Sequence, residues 1–269
     1  MNGQPSPVDR AAPNRNRRKF LLGGLLVVLA AGWVGFSWFR RRNGEEFTFE
    51  AISDPAGFRR IAAGKVSRST SPLAGLNSVT GKYSEDEMAT LRAGLCQALF
   101  GKSEIPAGIV PVASFSDYRC PYCRVLTKIL ARIEGETETV QVKWHEWPLL
   151  GDVSLVAAKA ALAARRQGAY QAFHARLMRT AFVPTEGYLR VMAKDLGIDA
   201  ERLLEDMESE DVAAEIAIAR QLAALFRFPG TPSLVVGRTV VSGAISEADL
   251  LRLIERERAD GPPEACSTS

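Results

Sequence analysis

The chain has 269 residues with 46% hydrophobic and 24% charged side chains, inside the range of ordinary folded proteins, which argues against collagen-like, mucin-like and polyampholyte chains. Net charge is +3, but residues 1–42 hold eight Lys or Arg against one Asp, so the remainder carries 26 basic against 30 acidic groups, about −4; nucleic-acid binding has no general electrostatic support. Two histidines and four cysteines leave few ligands for a multi-metal site, so any chemistry rests on few residues.

Residues 1–19 form a basic N-terminus, and Phe20 to Phe39 then run for twenty residues without a charge. At ~1.5 Å per residue a helix of this length spans the ~30 Å hydrocarbon core of a bilayer. Trp33, Trp38 and Phe39 gather near its far end, where aromatic rings favour the headgroup interface. Five positives precede the span and three follow it, Arg40, Arg41 and Arg42, which favours a cytoplasmic N-terminus with the rest of the chain outside. Arg17-Arg18-Lys19-Phe20-Leu21-Leu22 also resembles a twin-arginine export signal, whereas the bland reading is a start-transfer anchor whose arginines set topology. No small-x-small cleavage site follows the span, so an uncleaved single-pass anchor in a bacterial inner membrane, with its domain in the periplasm, is expected.

Residues 40–83 read as a linker with local structure. Ser84-Glu85-Asp86-Glu87 is a capping box, after which Met88, Leu91, Leu95 and Leu99 recur at helical spacing up to Gly101. Those four apolar residues serve either as packing on the domain or as a dimer seam. Ile109 to Phe115 is an apolar strand ending at Ser116-Asp117; Cys120-Pro121-Tyr122-Cys123 follows, and then the helical pattern Val125, Leu126, Ile129, Leu130 and Ile133. Thr139 to Trp147 predicts a second strand, Val153 to Leu196 several helices, and Glu210 to Phe226 another. Strands Ser233 to Val236 and Thr239 to Ser242 form a hairpin turning at Gly237-Arg238; Ser246 caps a last helix, and Gly261-Pro262-Pro263 ends ordered structure before a tail, 259–269.

A Cys-x-x-Cys on the first turn of a helix brings two sulfurs within disulfide reach, the first at the exposed N-terminal end and the second turned inward. Free N–H groups and the positive end of the helix dipole stabilise a thiolate at Cys120, making it the nucleophile, and Cys123 then resolves the mixed disulfide. Pro121 fits a first turn where no N–H is needed, and Tyr122 flanks the sulfurs and can tune them. The same pair can also be half a zinc or copper site. No second Cys-x-x-Cys exists, however, and His145 and His174 have no paired ligand spacing, so no metal and no cofactor are assigned.

Phe115-Ser116-Asp117-Tyr118-Arg119-Cys120-Pro121-Tyr122-Cys123, Trp147-Pro148-Leu149-Leu150-Gly151 and Gly230-Thr231-Pro232, in this order, resemble the Dsb-type (DsbA-like) thiol-disulfide oxidoreductases. The resemblance covers about residues 84–258. It implies an α/β thioredoxin fold with a helical insertion, here about 150–228. It further implies a cis peptide at Pro232 beside the active-site sulfurs, with Thr231 and Pro232 forming the platform on which extended substrate pairs. One departure concerns the buried acid that the family often carries six residues before the first cysteine, where this chain has Ser114, which cannot act as a base. Glu146 or an ordered water is a candidate substitute, against the plainer reading of Glu146 as a solvated strand residue.

Cys96 and Cys266 either pair into a disulfide joining the N-terminal helix to the tail, or stay apart as a small buried residue and a free thiol. His145 and His174 read as packing or surface residues. The expected function is an extracytoplasmic, membrane-anchored enzyme that exchanges the Cys120/Cys123 disulfide with thiols of partly unfolded proteins, as a disulfide-forming oxidant served by a membrane redox partner. The alternatives are an isomerase or reductase, or a non-enzymatic Cu(I)-binding assembly factor holding the metal through the same pair.

Overall fold

The structure is a computed structural model that describes residues 47–62, 64–68, 83–179 and 183–266; the apolar run 20–39 and its flanking arginines lie outside the described residues. Among the described residues no helix is long and apolar enough to cross a membrane.

Among the described residues six strands form one sheet. In chain order they are β1 (Glu50–Ala51), β2 (Arg59–Ala62), β3 (Val110–Ser116), β4 (Val140–Glu146), β5 (Ser233–Val236) and β6 (Thr239–Ser242), and across the sheet they run β1-β2-β6-β5-β3-β4. β3 pairs in parallel with β4, and antiparallel with β5, which turns into β6 as the hairpin expected from Gly237-Arg238. β3 is buried along all seven residues, as a central strand covered on both faces must be, which is why it reads as an apolar run rather than an alternation.

Nine helices are described: α1 (Glu85–Ala93), α2 (Leu95–Phe100), α3 (Pro121–Glu136), α4 (Asp152–Arg166), α5 (Tyr170–Arg179), α6 (Glu186–Asp195), α7 (Ala200–Met207), α8 (Glu210–Leu225) and α9 (Glu247–Asp260). Ser84 forms the expected capping box, and Ser246 and Asp199 cap α9 and α7 through their side chains. The single helix expected from 84 to 101 is instead two, separated at Gly94. Leu91, Leu95, Leu99 and Phe100 turn onto one face of the sheet, against Ala113 and Phe115 of β3 and Leu222 and Phe226 near the end of α8. That packing accounts for the apolar stripe within the domain. α9 lies on the other face, where Glu257 accepts a hydrogen bond from the Thr239 hydroxyl at 2.6 Å and Arg132 of α3 pairs with Glu247. The helices α4 to α8 are the insertion between β4 and β5, with a small core of their own around Ala158, Leu162, Val212 and Ile216.

Two expectations are corrected at the domain's ends. The stretch read as a linker supplies β1 and β2, and β2 extends the sheet by pairing in parallel with β6. Scattered charge hid these strands: Arg59 has its guanidinium on Glu257 at 2.5 Å and Asp260 at 2.7 Å, so a charged residue sits in the sheet because its partners are supplied by α9. The C-terminus does not become a loose tail at Gly261 either. A 3-10 turn, Glu264–Cys266, carries a buried Cys266 that is disulfide-bonded to Cys96 of α2, within the same apolar cluster.

Candidate active site

Cys120 is the N-cap of α3: its backbone is extended, and its sulfur accepts the Cys123 N–H at 3.2 Å. Pro121 occupies the first helical turn, where its missing N–H costs nothing. Across from the helix end, the Thr231–Pro232 peptide is cis, as the resemblance implies, and the Cys120 thiol donates to the Thr231 carbonyl at 3.4 Å. Two of the three segments that carry the resemblance thus meet at the sulfurs. Tyr122 is half-buried and makes no described hydrogen bond to either sulfur.

Both cysteines are free thiols, and their environments push them apart. The Cys123 thiol hydrogen-bonds the Cys120 sulfur and does most to lower its pKa to about 6; burial opposes this, while the Ser67 and Thr231 side chains and the Cys123 N–H lower it further. The Thr231 hydroxyl is buried without a hydrogen-bond partner among the described residues, and it favours the charged form of both sulfurs. Cys123 moves well above the ordinary thiol range, first because it is buried and then because a negative Cys120 lies beside it. The pair therefore shares one negative charge, held on Cys120. One expectation fails: Cys120 is not exposed at its helix end but fully buried, with Ser67 of the segment after β2 lying against it.

Asp117, an unremarked part of the Ser116-Asp117 strand end in the sequence reading, holds this loop together. Its buried carboxylate accepts from the Arg119 N–H (2.7 Å), the Ser154 hydroxyl (2.7 Å), and the Leu149 and Leu150 N–H groups (2.7 and 2.9 Å). It ties the Cys120 turn to the Trp147–Gly151 loop and to the first turn of α4. The local signal is an Asp whose side chain bonds the backbone two residues on, as Asx turns do.

Glu146 is not a solvated strand residue. It is buried, and its Oε1 accepts from the Tyr118 and Tyr170 hydroxyls, both at 2.7 Å, with His174 Nδ1 at 3.1 Å. None of these bonds reaches a cysteine, so the substitute-acid role is not carried by a direct contact. Burial and the adjacent Glu146 charge push both tyrosines well above their ordinary pKa, which keeps them neutral donors. His145 faces the other side of the sheet, stacked on Phe115 at 4.5 Å with Nε2 on the Leu99 carbonyl, and burial lowers its pKa to about 3. It is a packing residue. Ser114 is buried in β3, opposite Leu234 of β5. Among the described residues no group of three or more His, Cys, Asp or Glu is placed to hold a metal ion.

The geometry is that of a dithiol exchange centre, and comparison with known proteins agrees. The DSBA-like thioredoxin domain matches residues 111–255, more than half of the chain. A thioredoxin-like oxidoreductase from Silicibacter pomeroyi is 38% identical over 61% of this chain and 97% of its own, with a TM-score of 0.54. The thiol-disulfide exchange protein alpha-DsbA2 from Wolbachia pipientis (20% identity, 65% and 99% coverage, TM-score 0.55) and BdbD from Bacillus subtilis (24%, 58% and 91%, 0.51) share the fold. No curated protein matches the chain. The chain belongs to the DSBA-like thioredoxin domain family and is an enzyme of the thiol-disulfide oxidoreductase kind.

Proposed function

We propose that this enzyme works outside the cytoplasm, tethered to a bacterial inner membrane by residues 20–39, and passes the Cys120–Cys123 disulfide to thiols of partly unfolded proteins. The observation that carries the chemistry is the placement of the two thiols beside the cis Pro232, with Cys120 as helix N-cap accepting the Cys123 N–H and Cys123 buried, which lowers Cys120 to about 6 and raises Cys123. A substrate thiolate attacks the Cys120 sulfur of the enzyme disulfide; the Cys120–Cys123 bond breaks, and Cys123 leaves and takes up a proton. A second substrate thiolate attacks the substrate sulfur of the mixed disulfide, forming the substrate disulfide and releasing Cys120 as a thiolate. Substrate loses two electrons, the enzyme gains them, and a membrane redox partner withdraws them. Stabilising the released thiolate favours the reduced enzyme and so favours donation of the disulfide.

The compartment rests on the apolar span, its flanking charges and the buried Cys96–Cys266 disulfide, a bond that persists where thiols are not kept reduced. Thr231 and Pro232 supply the backbone platform for an extended substrate. The test is the equilibrium potential of the Cys120/Cys123 pair in glutathione buffers, read together with oxidation of a reduced, unfolded protein. A value near ~−120 mV with net oxidation is expected. A value near ~−200 mV or below turns the reading to reduction or isomerisation, and no exchange at all overturns it.

A further inference from the structure

Residues 64–68 leave the end of β2 and cross to the active site. Gly64 N–H donates to the Ala244 carbonyl at 2.8 Å, and Ala244 N–H donates to the Lys65 carbonyl at 3.0 Å. Ser67 then makes an antiparallel bridge with Thr231, its N–H on the Thr231 carbonyl at 2.7 Å and the Thr231 N–H on its own carbonyl at 3.0 Å. Both backbone groups of the residue before Pro232 are thereby used by the chain itself. The seat is built for a close backbone: a Cβ on Gly230 would strike the Ser67 carbonyl oxygen, and one on Gly243 the Gly64 carbonyl oxygen. The fully buried Cys120 sulfur lies 3.4 Å from the same Thr231 carbonyl that the Ser67 N–H binds, which brings residue 67 beside it.

We propose that residues 64–68 are an internal stand-in for substrate: the strap fills the extended-peptide seat on the Thr231–Pro232 loop, with the Ser67 hydroxyl where a substrate's cysteine sulfur lies during exchange. Serine is a cysteine with oxygen in place of sulfur, so it fills the position without reacting. An incoming substrate is an extended, cysteine-bearing segment that takes over the two Thr231 hydrogen bonds as the strap leaves. The inference rests on the exchange function proposed above.

Two measurements on the full chain test it without relying on turnover. In a Ser67→Cys, Cys123→Ser variant treated with oxidised glutathione, the Cys120 thiolate breaks the glutathione disulfide and releases one glutathione thiolate. The introduced thiol at position 67 then attacks the Cys120 sulfur and releases the second, so two protein thiols are oxidised and one glutathione disulfide is reduced. Mass spectrometry of a non-reducing digest is expected to show a 67–120 cross-link, and none for Val66→Cys in the same background, because alternate side chains of an extended segment point apart. In the reduced protein with native cysteines, Ser67→Pro removes the N–H that binds Thr231. Iodoacetamide at pH 8, where Cys120 is already a thiolate, is expected to modify it about fivefold faster than in the unsubstituted chain, the factor given by losing about one net hydrogen bond.

Glutathione retained on Cys120 without a 67–120 cross-link, together with equal alkylation rates, overturns the strap and leaves the exchange function standing. Failure of the unsubstituted chain to oxidise a reduced, unfolded protein would instead overturn the exchange function.

Discussion

The Cys120 thiolate gives the most direct test of the site, because its stabilisation has a named first cause. The Cys123 thiol hydrogen bond contributes most to bringing Cys120 from an ordinary 9.0 to about 6. A hydrogen bond to a charged group stabilises by ~1.5–3 kcal/mol, about one to two pH units, so Cys123→Ala is expected to raise the Cys120 midpoint to roughly 7–8. Cys123→Ser keeps an O–H donor and should stay near the original value. Thiolate ultraviolet absorbance of the reduced chain, followed from pH 4 to pH 10, reads the midpoint without requiring access to the sulfur. The sign of the linkage is fixed: Cys120 has a lower pKa folded than unfolded, so its contribution to the reduced protein's stability is complete above pH 9 and is lost as pH falls through 6. At pH 7 about one unit of this difference is expressed, ~1.4 kcal/mol in favour of the dithiol, which makes the disulfide ~30 mV more oxidising. A Cys123→Ala midpoint equal to that of the unsubstituted chain refutes the assignment of the donor.

Asp117→Asn retains the shape of the side chain but turns an N–H₂ toward hydrogen-bond donors that now meet a carboxylate, so it should cost about 3 kcal/mol, the strength of one or two charge-assisted bonds. Urea unfolding measures this, and a loss below about 1 kcal/mol contradicts the proposed tie between the two loops. Replacing Cys96 and Cys266 together by Ala opens a loop with a sequence separation of 170 residues, for which chain entropy gives about 5 kcal/mol. Denaturant midpoints of the two proteins under non-reducing conditions check it, and a difference under about 1 kcal/mol would place the disulfide's contribution elsewhere than in the unfolded chain.

The parts of the fold visible in the sequence were those with a local periodicity or a local cap. Strands β5 and β6 lie at 233–236 and 239–242 as read, and the helix after Cys120 begins where the Cys-x-x-Cys places it. What stayed hidden depends on partners distant in the chain. Arg59 reads as a surface charge until Glu257 and Asp260, about two hundred residues later, are placed beside it. Glu146 reads as solvated because its three hydrogen-bond partners, Tyr118, Tyr170 and His174, come from a loop and the helix α5. Burial of Cys120 is of the same kind. A helix N-terminus is ordinarily open, and nothing in the composition of Lys65-Val66-Ser67-Arg68 marks it as the segment that closes this one.

That closure bears on what a low-pKa thiolate needs. The ionisation that makes Cys120 an exchange partner also makes it the sulfur that oxidants reach first, since oxidation follows thiolate character and exposure together. Covering it with two backbone hydrogen bonds separates the two hazards by shape. A peptide in extended form offers an N–H and a C=O in the spacing that Ser67 offers, so it replaces the strap's bonds to Thr231 one for one and meets little net resistance. A small oxidant offers neither group, and must wait for the strap to open unaided. On this reasoning the strength of the Ser67–Thr231 bridge sets the selectivity between protein and small-molecule thiol chemistry, while the Cys120–Cys123 hydrogen bond sets the reactivity, and each can be altered without the other.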